Sequence, residues 1–156
     1  MSLLSEDERR EIEEAAGRFP VRRAAAIEAL QTVQLRRGWV SDEALAEAAG
    51  LLGMTVDELD GVASFYSLVF RKPVGRHVIL VCDSITCWIE GYEKILERLT
   101  ARLGVGLGGT DAEGRFTLLP VACLGACDHA PAMLVDGDLH GGLTPEAIDD
   151  ILERYK

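Results

Sequence analysis

No apolar stretch in this chain of 156 residues approaches the ~20 residues that carry a helix across a bilayer, so direct membrane insertion is not expected. Positive charge is scarce: 16 Lys and Arg stand against 26 Asp and Glu, a formal net charge of −10. A surface of that sign repels nucleic-acid phosphates and gains nothing from anionic lipid. The opening MSLLSEDERREIEE is charged from the start and holds no signal-peptide core, which points to a cytoplasmic location. Histidine is limited to His77, His129 and His140, scattered and without partners at metal-ligand spacing, so structural or surface roles are expected for them. No Ser-His-Asp or Cys-His arrangement stands in a supporting context, and the carboxylates fall in helix first turns and on exposed faces, where they cap and solubilise. A complete active site on this chain alone is therefore not expected.

What is present is a sizeable apolar fraction, 48%, enough to bury a core and to argue against disorder. Ser5 and Glu8 form a capping box that predicts a helix over about 6–16. Pro20 suits the first turn of a second helix, which carries Ile27, Leu30 and Val33 on one stripe and stops at Gly38. Ser41 caps an alanine-rich third helix that ends near Gly53, and Thr55 with Glu58 boxes a short fourth. Phe65 and Tyr66 are read first as packing residues between the two halves of the chain, with facing a partner as the alternative. Lys72-Pro73-Val74-Gly75 closes the helical half. His77 to Val81 then forms a continuous β-type run that delivers Cys82 at its C-terminal end. A loop leads to Cys87, and Tyr92, Ile95, Leu96, Leu99 and Leu103 keep helical spacing. Phe116 to Val121 is a second strand, delivering Cys123. Residues 133–140 read as a hairpin turning at Asp136-Gly137, and Thr144-Pro145-Glu146 opens a last helix to about Arg154. The expected architecture is α+β: a helical domain over 1–75, then a small mixed-sheet, thioredoxin-like domain over 76–156. Gly104, Gly106 and Gly109 match G-x-G-x-x-G but follow a helix and precede a strand, the wrong context for a dinucleotide site; a surface turn is the reading.

All four cysteines, Cys82, Cys87, Cys123 and Cys127, lie in the second half. They stand as C-x4-C and C-x3-C, each pair just after a strand, where sites form in open α/β sheets. In a reducing compartment such a set is a metal or redox site more often than two disulfides. The thioredoxin C-x2-C pair is absent, and a Rieske centre would need two histidines, of which Cys127-Asp128-His129 offers one. Structural zinc is the rival, since its knuckle spacings overlap these. An all-cysteine 2Fe–2S cluster, with one thiolate pair on each iron, fits best. Backbone N–H groups of Leu124-Gly125-Ala126 are expected to bond the sulfurs, glycine letting the chain wrap closely.

With these pieces in place the chain resembles the family of E subunits of NADH-quinone oxidoreductase, respiratory complex I. The resemblance rests on GVASFYS (61–67), CDSITC (82–87), RFTLLPVACLGACDHAP (115–131) and LTPEAIDDILERYK (143–156). It implies a thioredoxin-like 2Fe–2S ferredoxin domain with Cys82, Cys87, Cys123 and Cys127 as the ligands of one cluster. It further implies a one-electron carrier supplied by the flavin of a partner subunit, FMN and NADH being bound there and not here. Other peripheral-arm subunits are the remaining implied partners, in an arm on the cytoplasmic side of the inner membrane. The equivalent diaphorase subunit of an NAD-linked hydrogenase or formate dehydrogenase is the alternative within electron transfer; a zinc-stapled adaptor is the alternative outside it. One departure is visible: Trp88 stands where many relatives have a histidine, which bears on the polarity around the cluster.

Overall fold

The computed structural model describes residues 3–155. The chain divides into two compact units, the first ending at Pro73 and the second starting at Val74.

The first unit is built from α1 (Glu6–Gly17), α2 (Ala26–Arg37), α3 (Asp42–Leu52) and α4 (Val56–Phe65). Both expected capping boxes form: Ser5 accepts from the Glu8 amide while Glu8 accepts from the Ser5 amide, and Thr55 and Glu58 repeat the arrangement. Gly38 and Gly53 end α2 and α3 in the left-handed region, with φ of 80° and 66°, a conformation that glycine adopts without a Cβ penalty. The second helix begins later than Pro20 predicts. A 3-10 turn over Arg22–Ala25 precedes it, so Pro20 lies outside the helix. Ile12, Leu30, Leu45, Leu52 and Leu59, all fully or nearly fully buried, form the core with Ala15, Ala29, Ala44, Ala48 and Ala63 between them. Alanine at these contacts lets the helix axes approach closely.

Two arginine pairs, Arg22-Arg23 and Arg36-Arg37, are tied within this unit. Arg37 reaches Glu8 with two hydrogen bonds, 2.6 and 2.7 Å, and Arg36 pairs with Glu11. Arg23 pairs with Glu58 at 2.6 Å and Arg22 donates to the Leu51 carbonyl. Phe65 is 80% and Tyr66 42% exposed. Leu59 and Ala63 carry the buried face of α4, and the next two positions after Ser64 rotate off that stripe.

The second unit runs β1 (His77–Cys82), α5 (Ile85–Ile89), α6 (Tyr92–Leu103), β2 (Phe116–Val121), β3 (Met133–Val135), β4 (Asp138–His140) and α7 (Pro145–Leu152). The sheet order is β2-β1-β3-β4. β1 pairs in parallel with β2, Cys82 opposite Val121, and antiparallel with β3. The β3–β4 hairpin turns at Asp136 and Gly137, both at positive φ, as a two-residue turn matching strand twist requires. Ile79, Val81, Phe116, Leu118, Met133 and Val135 from the strands pack with Ile95, Leu99, Ile148 and Leu152 from α6 and α7. The glycine-rich turn lies along β2 instead of opening a helix: Gly108 donates to the Leu118 carbonyl and Leu118 donates back to Gly109. Among the described residues no helix is long and apolar enough to cross a membrane.

Candidate metal centre

β1 is buried from Ile79 to Cys82, and it carries Cys82 to the end of the sheet as its last residue. The Cys82 amide donates to the Ala132 carbonyl at 3.1 Å, and the Asp83 amide donates to the Val121 carbonyl at 3.0 Å. These two bonds fix where the chain leaves the sheet. Because Cys82 pairs with Val121, Cys123 emerges only two residues beyond Cys82's partner on the neighbouring parallel strand. Parallel pairing of β1 and β2 is thus what brings the two distant cysteine pairs to one end of the sheet.

The second cysteine of each pair is held differently from expectation. Cys87 does not sit in an open loop. It lies in α5, a helix entered through Ser84 and closed at Glu90, and it is 2% exposed. Cys127 opens a 3-10 turn, Cys127–His129. That turn is anchored by the His129 amide on the Ala126 carbonyl at 3.0 Å and by the Gly142 amide on the His129 carbonyl at 2.6 Å. Cys82 and Cys87 are buried, Cys123 and Cys127 exposed, and all four are free thiols.

The electrostatics show which thiols approach one another. Burial pushes the Cys87 thiol above its ordinary pKa; a hydrogen bond with Cys82 and the nearness of Cys82 and Cys127 act in the same direction, against a bond to the Ala132 backbone. A low-dielectric pocket holding several thiols disfavours each added thiolate, and such a site is relieved by a cation bound between them. Gly125, at φ +73°, turns the chain so that its amide donates to Cys123 Sγ across 3.3 Å. This is one of the backbone-to-sulfur bonds expected of the Leu124–Ala126 loop. Sequence reading placed Tyr92 on a helix but did not single it out for the site. Its hydroxyl is pushed up by burial and then by the negative charge of Asp83 and of Cys82. The only sequence signal was its place just after the C-x4-C segment.

Of the histidines, His129 pairs with Asp128 on the surface at 2.8 Å. His77 meets Asp136 at 2.5 Å and His140 meets the Tyr155 hydroxyl at 2.8 Å, both polar contacts of the hairpin region. Among the described residues no three His, Cys, Asp or Glu side chains converge tightly enough to hold a single metal ion. A two-iron cluster asks instead for two thiolates on each iron, and the two pairs at adjacent strand ends could supply them.

A family model for the thioredoxin-like [2Fe-2S] ferredoxin matches residues 12–156. The NADH-quinone oxidoreductase E subunit of Pseudomonas aeruginosa is 50% identical over 153 residues, covering 98% of this chain and 92% of that protein. Its counterpart in Escherichia coli K12 is 52% identical over the same shares. Among solved structures, the air-oxidised NAD+-reducing [NiFe]-hydrogenase contains a similar fold, with a TM-score of 0.73 and 27% identity over 84% of this chain. This chain spans only 22% of that hydrogenase chain. The matched segment takes in both cysteine pairs and the sheet that joins them, and on these grounds the chain belongs to the thioredoxin-like [2Fe-2S] ferredoxin family, with the E subunits of NADH-quinone oxidoreductase.

Proposed function

We propose that the chain is the electron-transferring E subunit of an NADH-quinone oxidoreductase, holding one 2Fe–2S cluster on Cys82, Cys87, Cys123 and Cys127. The observation that carries this reading is the half-identity to the Pseudomonas protein over 98% of the chain, together with two thiol pairs at the ends of adjacent parallel strands. When bound, such a cluster supplies reversible one-electron transfer, its net charge passing between about −2 and about −3.

The chain's own residues set the conditions for that chemistry. Cys82 and Cys87 hold their side of the site away from water, where each charge is felt more strongly. Gly125 aims an N–H dipole at the Cys123 sulfur, which favours the more negative state. Cys123 and Cys127 face outward, giving an edge through which electrons can pass to a neighbour. The electron source is the flavin of a partner subunit, which also binds NADH. The cytoplasmic side of the inner membrane and the peripheral arm of the complex are the location that goes with this role. The helical unit, which carries no cysteine, serves assembly. A second reading, the diaphorase-type subunit of an NAD-linked hydrogenase, is favoured by the likeness to the NAD+-reducing hydrogenase.

Purification of the protein with its native partners tests both. Co-purification with a flavin- and NADH-binding subunit and quinone-reducing partners supports the first reading. A nickel-containing partner in their place supports the second, and a chain that purifies alone with zinc overturns both.

A further inference from the structure

Two successive amides after β4 hold the loop that carries Cys127. Gly142 donates to the His129 carbonyl at 2.6 Å, and Leu143 donates to the Pro131 carbonyl at 3.1 Å. The segment they grip reaches both sides of the site. His129 ends the 3-10 turn that Cys127 opens, and the Ala132 carbonyl accepts from the Cys82 amide at 3.1 Å. Residues 141–143 therefore form a clasp behind the stretch that joins the exposed Cys127 to the buried Cys82.

The clasp is itself well anchored. His140 pairs with Met133 across the hairpin. Its Nε2 lies 2.8 Å from the Tyr155 hydroxyl, which donates to Asp138 at 3.0 Å. Leu143, at the other end, is buried. The turn is the softer side of the contact, because Cys127, Asp128 and His129 are all exposed. Gly141 stands between the two. A Cβ at this position would lie 2.6 Å from His129 Cβ and 2.9 Å from the His129 carbonyl oxygen, well inside the ~3.5–4.0 Å at which carbon atoms rest against one another. Gly141 is not among the glycines at positive φ, so close approach, and not its backbone angle, is what excludes a side chain here.

We propose that Gly141 is a positioning residue for the cluster: by carrying no Cβ it lets the clasp close on His129, and so sets where the Cys127 sulfur stands relative to the other three. The proposal rests on the ligand set given above and adds what holds its exposed side. Bonds to a metal keep their lengths within about 0.2 Å, a smaller distance than a Cβ at Gly141 would have to open. The His129 amide is bonded to the Ala126 carbonyl at 3.0 Å, so a push on His129 moves the turn, and Cys127 with it, while Cys82 and Cys87 stay seated in the buried side of the site.

The test compares Gly141→Ala with Gly75→Ala in the full-length, cluster-loaded chain. A Cβ at Gly75 would meet the Arg115 backbone at 2.9 Å, a similar crowding just before β1, at the end of that strand away from Cys82. Gly141→Ala should shift the EPR g-values and the midpoint potential, and should speed cluster loss to an iron chelator by about tenfold or more. Gly75→Ala should lower the melting temperature and leave g-values and potential those of the wild type. Gly141→Ala combined with His129→Gly removes the closest contact and should recover part of the shift, or part of the loading if the single variant takes up no cluster. Wild-type g-values and potential in Gly141→Ala overturn the proposal. So does an equal shift in Gly75→Ala, which would assign the effect to general loss of stability, and so does a double variant that recovers nothing. Absence of iron from the wild-type chain is seen before any substitution; it overturns the ligand reading, and the positioning role with it.

Discussion

Glu8 and Arg37 form a two-point ion pair that joins α1 to α2, Arg37 Nε and Nη2 lying 2.6 and 2.7 Å from the two carboxylate oxygens. Glu8 is 1% exposed and also closes the capping box by accepting from the Ser5 amide at 2.7 Å. The pair is sheltered enough to matter, unlike the exposed pairs that decorate the same helices.

The Arg37 hydrogen bond, outweighing burial and reinforced by Ser5, holds the Glu8 carboxyl down at about 2 instead of 4.5. A lowered folded-state pKa contributes stability above the unfolded value and loses it as pH falls through the folded one. The contribution should be complete above about pH 4.5 and vanish by about pH 2. Glu8→Gln should therefore cost on the order of 2 kcal/mol near neutral pH, and the gap between wild type and variant should narrow below pH 4.5. Thermal melts followed by far-UV circular dichroism at a series of pH values check this; a pH-independent gap would assign the loss to packing.

The two units have separate cores. The first is drawn from residues between Leu4 and Ala63, the second from residues between Ile79 and Leu152. A chain starting at Val74 should therefore fold and load the cluster, with some loss of stability. It should fail to join the complex if the helical unit serves assembly, where exposed Leu35, Phe65 and Leu68 offer contact area. Iron content and co-purification of the shortened chain measure the two halves of this statement. Normal assembly would refute the assembly role of the helical unit.

Anaerobically prepared protein should contain two irons and two labile sulfides per chain, as a 2Fe–2S cluster requires. Replacing any one of Cys82, Cys87, Cys123 or Cys127 by alanine should lose or badly destabilise it. Losses at Cys82 and Cys87 should be the hardest to rescue with added iron and sulfide, because both positions are buried. Stoichiometric zinc without iron would sink the assignment.

Most of the fold was legible because local signals agreed with the global pattern. Ser5, Ser41, Thr55 and Thr144 each mark a helix start, and each side chain does accept the expected amide. The strands announced themselves as apolar runs, and their C-terminal ends named the cysteines. What escaped was decided by tertiary contact. Nothing in Ile85–Ile89 has helical periodicity long enough to recognise, yet a short helix forms there, entered at Ser84, ending at Glu90 and burying Cys87. Pro20 could open a helix, but the chain forms a 3-10 turn first, and α2 starts at Ala26. The approach of Tyr92 to Cys82 joins residues from two elements and has no signature in either.

Ala126 lies between Gly125, whose amide is committed to Cys123 Sγ, and Cys127. It is half-buried at φ −102°, a backbone that any side chain can adopt. A cation placed there should favour the reduced cluster, which carries the extra negative charge. Coulomb's law at ~8 Å and an effective dielectric of ~40 gives roughly 1 kcal/mol, on the order of 40 mV for a one-electron couple. Ala126→Lys should therefore raise the midpoint potential by about that amount, and Ala126→Asp should lower it similarly. The loop's outward-facing neighbours let counter-ions in, so both shifts should shrink as salt rises. Redox titration followed by EPR on the wild type and both variants supplies the measurement. Shifts of the same sign for Lys and Asp would show that packing or the Gly125 hydrogen bond governs the potential at this loop. No shift in either would place Ala126 away from the cluster and undo the proposed wrapping of the loop around it.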